Sequence, residues 1–381
     1  MRGGAIRGGR ARRGRGSGGN MGAPMRGLGG GKLPFDLTFF DDIFPRVSPA
    51  PDDSELSNAI LKRHTDISPS TEEIQSIQNM VTRVQGILEN LILTPGAFDA
   101  CQVDEVRQVG SFKQGTILAG HKTADFVVIL KSLPTREAVD ALCIRVSDDL
   151  RQSECVRSSV TDRGFDISSM QATVRIFITT IPPNFRKLDP EIHLDAKVMN
   201  EAWQAIRHSR WFEENAHNST IKVLIRIFRD IRQRFTGIQT ISTWMLDLLA
   251  HYATLNNPSR QALPVNMAFR RSLALMAAGM YLPGYSGASV RGHGMTYEQQ
   301  DVATITAQTL VRILGHGGYK QVLGLETMYN DILTSSTVIN NIVIKPLDKV
   351  YVPPAEGESD KLEDEEEEEE DHSSGMEPDM A

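Results

Sequence analysis

Apolar residues recur at three- and four-residue spacing over two long parts of the chain, and between them the pattern shortens to runs of the strand type. The first helical stripe, Ile74, Ile77, Val81, Val84, Leu88 and Leu91, follows Ser70-Thr71-Glu72-Glu73. That tetrad reads as a capping box, in which the Ser hydroxyl and the Glu carboxylate each satisfy an N–H at the helix start. Runs rich in β-branched and aromatic residues then predict strands at 105–109, 125–131, 172–179 and 191–196, with a helix over 135–151 behind Pro134. From 198 onward the helical period returns, predicting helices at 198–215, 220–235, 243–255, 265–281 and 297–314. A final apolar run covers 338–344. This order implies an α+β protein: a small mixed sheet with helices, followed by an all-helical subdomain.

The ends break the pattern. Residues 1–33 form a Gly/Arg-rich arm with almost nothing apolar to bury, so the arm is expected to stay disordered. Its arginines Arg2, Arg7, Arg10, Arg12, Arg13 and Arg15 can pair with phosphates and stack on bases, a candidate RNA contact whose plainer alternative is a solubilising or targeting tail. The body divides into an α/β half at 34–197 and a helical half at 198–347, and 348–381 reads as a disordered acidic tail with an unbroken acidic run at 363–371.

Charge follows the same division. The net charge of −7 hides eight basic residues and no acid in 1–32, and fourteen acids against Lys361 alone in 354–381. The body is therefore close to neutral and is not, taken as a whole, a basic nucleic-acid-binding body. Cys101, Cys143 and Cys155 have no metal-ligand spacing and an odd count, as expected of reduced thiols. No apolar run nears the roughly 18 residues needed to span a bilayer. The expected compartment is the nucleus, with the cytoplasm as the alternative, and no membrane partner is expected.

Candidate chemistry gathers at 109–130. Gly110 permits close backbone approach to a ligand, Ser111 adds a hydroxyl and an N–H for phosphate oxygens, and Asp125 opens the next strand where a carboxylate can hold a divalent cation. An ordinary glycine turn leading into a buried strand is the competing reading. His208, His251 and His316 lack partners at ligand spacing and read as core or surface residues, and Trp203, Trp211 and Trp244 read as core. Lys222, Arg226 and Arg229 share a helical face, which by pattern alone is a solvated stripe.

Gly110-Ser111-Phe112-Lys113-Gln114-Gly115-Thr116, with Gly120 and Ala124-Asp125-Phe126-Val127-Val128, resembles the signature of template-free nucleotidyltransferases, especially the oligoadenylate synthetase branch. The resemblance implies two acids flanking one residue at the strand start, but here the triplet is Thr123-Ala124-Asp125, so the first acid is missing. It implies a third acid from a later strand, assigned to Asp195, and a phosphate-reaching lysine, assigned to Lys222, with Arg226 and Arg229 left as surface. Further runs, among them Glu105-Val106-Arg107-Gln108-Val109-Gly110-Ser111 and Pro182-Pro183-Asn184-Phe185-Arg186-Lys187-Leu188-Asp189-Pro190, resemble the DZF-domain family from about residue 35 to 346. Loop 281–295 is differently composed from typical relatives.

That resemblance implies a non-catalytic nucleotidyltransferase fold. It also implies pairing, through the DZF domain, with a relative bearing double-stranded RNA-binding domains, of the ninety-kilodalton nuclear factor type, with RNA contacted chiefly through the complex. No cofactor is required on this reading, although Gly110, Ser111, Lys222, Asp125 and Asp195 are of the kind that hold a nucleoside triphosphate with Mg²⁺. The alternatives are an active template-free RNA nucleotidyltransferase and a stand-alone RNA binder acting through the arm.

Overall fold

The computed structural model describes residue 38 and residues 52–152, 155–279, 294–328 and 331–352. The expected arm with its six arginines, most of the expected tail and most of loop 281–295 lie outside the described residues.

Helix α1 (Ser54–Asp66) precedes α2 (Thr71–Leu93), which starts at the expected capping box. Ser70 Oγ accepts the Glu73 N–H at 3.1 Å, and Glu73 Oε2 accepts the Ser70 N–H at 2.8 Å. The α2 stripe is buried from Ile77 to Leu91, whereas Ile74 in the first turn is exposed. Strand β1 (Val103–Val109), the short helix α3 (Gly110–Gln114), β2 (Thr123–Leu130) and α4 (Arg136–Arg151) follow. Strands β3 (Arg157–Thr161), β4 (Gly164–Ser168) and β5 (Thr173–Thr180) complete a sheet ordered β1-β2-β5-β4-β3, in which only β2 and β5 run parallel.

Alternation along β2 assigns its two faces. Ala124, Phe126, Val128 and Leu130 enter the core with α2 and α4, while Val127 and Ile129 join Val109 and Ala202 of α5 (Ala196–Asn215) on the other side. Asp125 keeps the phase of Val127 and Ile129, so it belongs to the α5 face.

Two departures from the sequence pattern matter for the site. Strands β3 and β4 were not predicted, because Ser and Thr dominate them and only Phe165 and Ile167 carry the alternation; both are fully buried. Residues 191–196 form no strand: a single bridge pairs His193 with Thr135, and Asp195 becomes the N-cap of α5, its Oδ1 accepting the Lys197 N–H at 2.6 Å. A short acid that satisfies an orphan N–H starts a helix more readily than it continues a strand.

The helical half packs around α6 (Ser219–Arg234), whose Leu224, Ile225, Ile227, Phe228 and Ile231 are buried against α7 (Thr243–Leu255), α8 (Val265–Ala277) and α9 (Tyr297–Gly315). Phe228 stacks on Phe269 at 5.4 Å. The short α10 (Tyr319–Val322) and the hairpin β6 (Thr337–Ile339) and β7 (Ile342–Ile344) close it. Although α1 comes first in the chain, its Leu56, Ala59 and Ile60 lie in this helical core. Its Arg63 is tied to Asp230 of α6 by paired bonds of 3.1 and 2.6 Å, and Arg234 adds a third at 3.0 Å.

Asp230 is almost fully buried between those two arginines, so Asp230→Ala strands two charges and should lower the unfolding free energy by about 3–5 kcal/mol. Lys62→Ala, in the exposed Lys62–Asp66 pair, should cost less than about 1 kcal/mol. Urea unfolding of the two variants checks the contrast.

Candidate functional site

Strand register alone brings Val109, Asp125, Arg175 and Asp166 into one row across β1, β2, β5 and β4. Directly paired residues project to the same face, so the three charged side chains stand together on the α5 side of the sheet. Arg175 Nη1 lies 3.8 Å from Asp125 Oδ1, and its Nε lies 3.5 Å from Asp166 Oδ1. Both of those carboxylate oxygens are buried without a hydrogen-bond partner. Burial pushes the Asp125 carboxyl up to about 6, against the pull of Arg175 and Arg229 and with the help of Asp166.

Gly110 makes the approach to Asp125 possible. Its φ is +76°, and a β-carbon there would run into Asp125 Oδ2. The site thus uses both freedoms of glycine, the left-handed backbone and the missing side chain.

The facing wall comes from the helical half. Arg229 of α6 donates to Asp247 Oδ1 of α7 and to Thr116 Oγ1, both at 3.0 Å, and its buried Nε has no partner. Burial holds the Asp247 carboxyl above its ordinary range, opposed by Arg229. Next to them, His208 of α5 stacks flat on Trp244 at 3.8 Å, and Trp211 meets Trp244 edge-on at 5.0 Å. Burial, then the neighbouring Arg207, pushes His208 down to about 4, so its imidazole is neutral near pH 7. Between the walls lies a cleft of about 330 Å³.

Of the residues singled out from the sequence, Gly110, Ser111 and Asp125 line this cleft together. Thr123 sits two residues before Asp125 on β2, paired with Thr173. Asp195 lies instead at a separate cavity of about 640 Å³ beside Arg136 and Asp140. The acid that a neighbouring strand contributes to the row is Asp166, because β4 and not 191–196 lies beside β5. Lys222 reaches Gly115, its Nζ 3.8 Å from where a β-carbon would stand there, while Arg229 of the same helix lines the cleft.

Arg226 and Arg229, expected at the surface, are part-buried bonding groups that grip backbone and side chains from 115 to 117. Arg175, Asp166, Asp247 and the His208–Trp244 stack were not found by pattern. Asp247, a carboxylate within the apolar run 245–249, was the one local signal, since an acid in such a run is buried only with a partner.

A pair of divalent ions needs several carboxylates converging on the metals, without a fixed cation among them. Here a guanidinium stands between the two acids of the row, and the residue two places before Asp125 is an uncharged threonine. These residues do not fit a two-metal centre.

The mixed sheet with a helical partner half is the nucleotidyltransferase-like fold. It is shared with CdnC of E. coli MS115-1, solved in complex with HORMA-deltaN, at 14% identity and a TM-score of 0.50 over 70% of this chain and 96% of that one. The Cid1 poly(U) polymerase is similar at 10% identity and a TM-score of 0.47 (74% and 97% covered), as is the GLD-2/RNP-8 complex at 10% and 0.49 (72% and 99%). The chain matches the DZF N-terminal domain over 28–217 and the DZF C-terminal domain over 220–345, and it belongs to the DZF family. Among the described residues no helix is long and apolar enough to cross a membrane.

Two variants probe the geometry. Gly110→Ala forces a side chain into a left-handed backbone and against Asp125, and should cost at least about 2 kcal/mol of stability, read by urea unfolding. Asp125 binds its proton near pH 6 when folded and at the ordinary 3.8 when unfolded, so the folded chain holds more protons between these values and stability falls as pH rises through that window. Asp125→Asn should therefore stabilise the protein by about 1–3 kcal/mol at pH 7–8, and flatten the slope of stability between pH 4 and 6.

Proposed function

We propose that this chain is a non-catalytic pseudo-nucleotidyltransferase that acts as a regulatory subunit. It pairs through its DZF domain with a DZF relative bearing double-stranded RNA-binding domains, and works in RNA metabolism and in transcriptional and post-transcriptional control, chiefly in the nucleus. Within the family its sequence runs resemble those of interleukin enhancer-binding factor two, the forty-five-kilodalton nuclear factor, and the pairing is drawn from that resemblance.

The observation that carries the non-catalytic part is Arg175 in register with Asp125, on a row whose carboxylates would have to hold metal in an active enzyme. With Thr123 in place of an acid, the positive charge is built in and the ligand set is short. The pairing part is supported by the surface of the helical half. Val338 and Val343 are opposed across the β6–β7 hairpin and are 62% and 56% exposed, and Met267 on α8 is 50% exposed. Exposed apolar side chains occur on the α/β half too, among them Leu93, Ile144 and Met170, so the hairpin pair on the helical half supports the reading only as two neighbouring apolar side chains that a partner surface would cover. An obligate interface is expected to exceed about 2,000 Å².

Co-expression with a DZF relative, followed by size-exclusion chromatography with light scattering, should give a tight one-to-one complex. A stable monomer that ignores the partner would sink the pairing. Incubation with labelled nucleotides, RNA and Mg²⁺ or Mn²⁺ should give no incorporation, and incorporation abolished by Asp125→Ala would overturn the non-catalytic reading.

A further inference from the structure

The two edges of the sheet are guarded differently. Strand β1 closes one side with Asp104, Glu105 and Arg107 along it, and charges of this kind keep foreign strands away. Strand β3 closes the other with Ser158, Ser159, Val160 and Thr161, and its one charge, Arg157, stands at the start. Among the described residues no main-chain bond reaches β3 except from β4. The hairpin fixes which groups stand open. Its two-residue turn, Asp162-Arg163, closes on the pair Thr161 and Gly164, and antiparallel pairs alternate between bonded and unbonded. Arg157, Ser159 and Thr161 therefore direct their N–H and C=O to β4, while those of Ser158 and Val160 point outward.

A recess lies beside this edge. Val160 pairs with Phe165, which is buried on the α4 side, so Val160 projects there too. It is 47% exposed and lines the cavity of about 640 Å³ together with Val139, Leu194 and Val198. An open strand edge next to an apolar recess is the arrangement by which a sheet takes an added strand: main-chain bonds give affinity and the recess selects alternate side chains.

Charge narrows the occupant. Arg157 at the start of β3 and Asp162 just past its end are exposed, and neither has an ion partner among the described residues. The edge is thus positive at one end and negative at the other. A second copy fits it less well, since two five-residue strands would cover far less than the roughly 1,200 Å² at the low end of stable interfaces. We propose that the edge of β3 binds an extended peptide segment of another protein as a sixth strand, antiparallel to β3, the orientation that is more stable per residue. An apolar side chain opposite Val160 fills the recess, a carboxylate three residues later meets Arg157, and a cation two residues earlier meets Asp162. This surface belongs to the α/β half, apart from the β6–β7 hairpin of the helical half.

The test selects short random peptides displayed on phage against the full chain, then measures the selected sequences as free peptides. Expected are sequences with a branched apolar residue, an acid three places after it and a base two places before it. Val160→Lys, which sets a charge at the mouth of the recess, should lower their affinity by about tenfold or more. On the unaltered chain a bound peptide should slow hydrogen exchange at the Ser158 and Val160 amides and leave those of Arg157, Ser159 and Thr161 as they were. If no selected peptide is sensitive to Val160→Lys, or if the sensitive ones bind without protecting those two amides, the inference is ruled out. Protection of the same amides by a DZF relative alone, or by a second copy as concentration rises, also rules it out, because the edge would then belong to an assembly interface. The exchange measurement uses no variant, so a misfolded Val160→Lys chain cannot leave the question open.

Discussion

The grip of α6 on the short segment after α3 is the contact on which the rest of the architecture depends. Arg226 donates to the carbonyls of Ile117 and Gly115 at 3.1 and 2.8 Å and meets His64 of α1 at 2.8 Å; Arg229 adds the bond to Thr116. The segment itself divides its side chains: Ile117 enters the core of the α/β half and Leu118 the core of the helical half. Charged donors to carbonyls are strong and directional, and the carbonyl of the buried Ile117 left bare at such a seam would be costly. His64 can accept here only as the neutral ring, which burial and the Arg226 charge both favour.

Holding that seam also builds the cleft. Asp125 and Arg175 arrive on the sheet, Arg229 and Asp247 on the helices, and neither half alone encloses the space between them. The electrostatics follow from the low-dielectric setting. A carboxylate at Asp125 is raised by burial more than Arg175 relieves it, and Asp247 is tolerated because Arg229 is bonded to it. Charge within the cleft is balanced by opposing side chains.

Much of this was legible from local pattern. The capping box at Ser70, the stripe of α6, the bounds of α7 and the strands on either side of the Gly110 turn all follow from spacing, because each depends on a few neighbouring residues. Gly110 and Asp125 could be paired as site residues for the same reason: they are close in sequence and joined by one turn. The helix expected at 198–215 was legible too and starts two residues earlier, at Ala196, but the segment leading into it, 191–196, reads as a strand, since alternation in Ile192, Leu194 and Ala196 looks the same until Asp195 is seen to cap.

What the sequence by itself determined, then, is the order of elements, the glycine that lets the turn approach an acid, and the absence of a second acid at Thr123. What only the tertiary structure decided is which distant residues face Asp125. Sheet order put β4 and β5 beside β2, so Arg175 and Asp166 entered the row while Asp195 was left at another cavity. Packing of the helical half turned Arg226 and Arg229 from an apparent surface stripe into the clamp and the far wall. The physical reason is that helix caps and strand alternation are short-range, whereas strand order, register and the burial of a charge are settled only when segments far apart in the chain compete for the same partners.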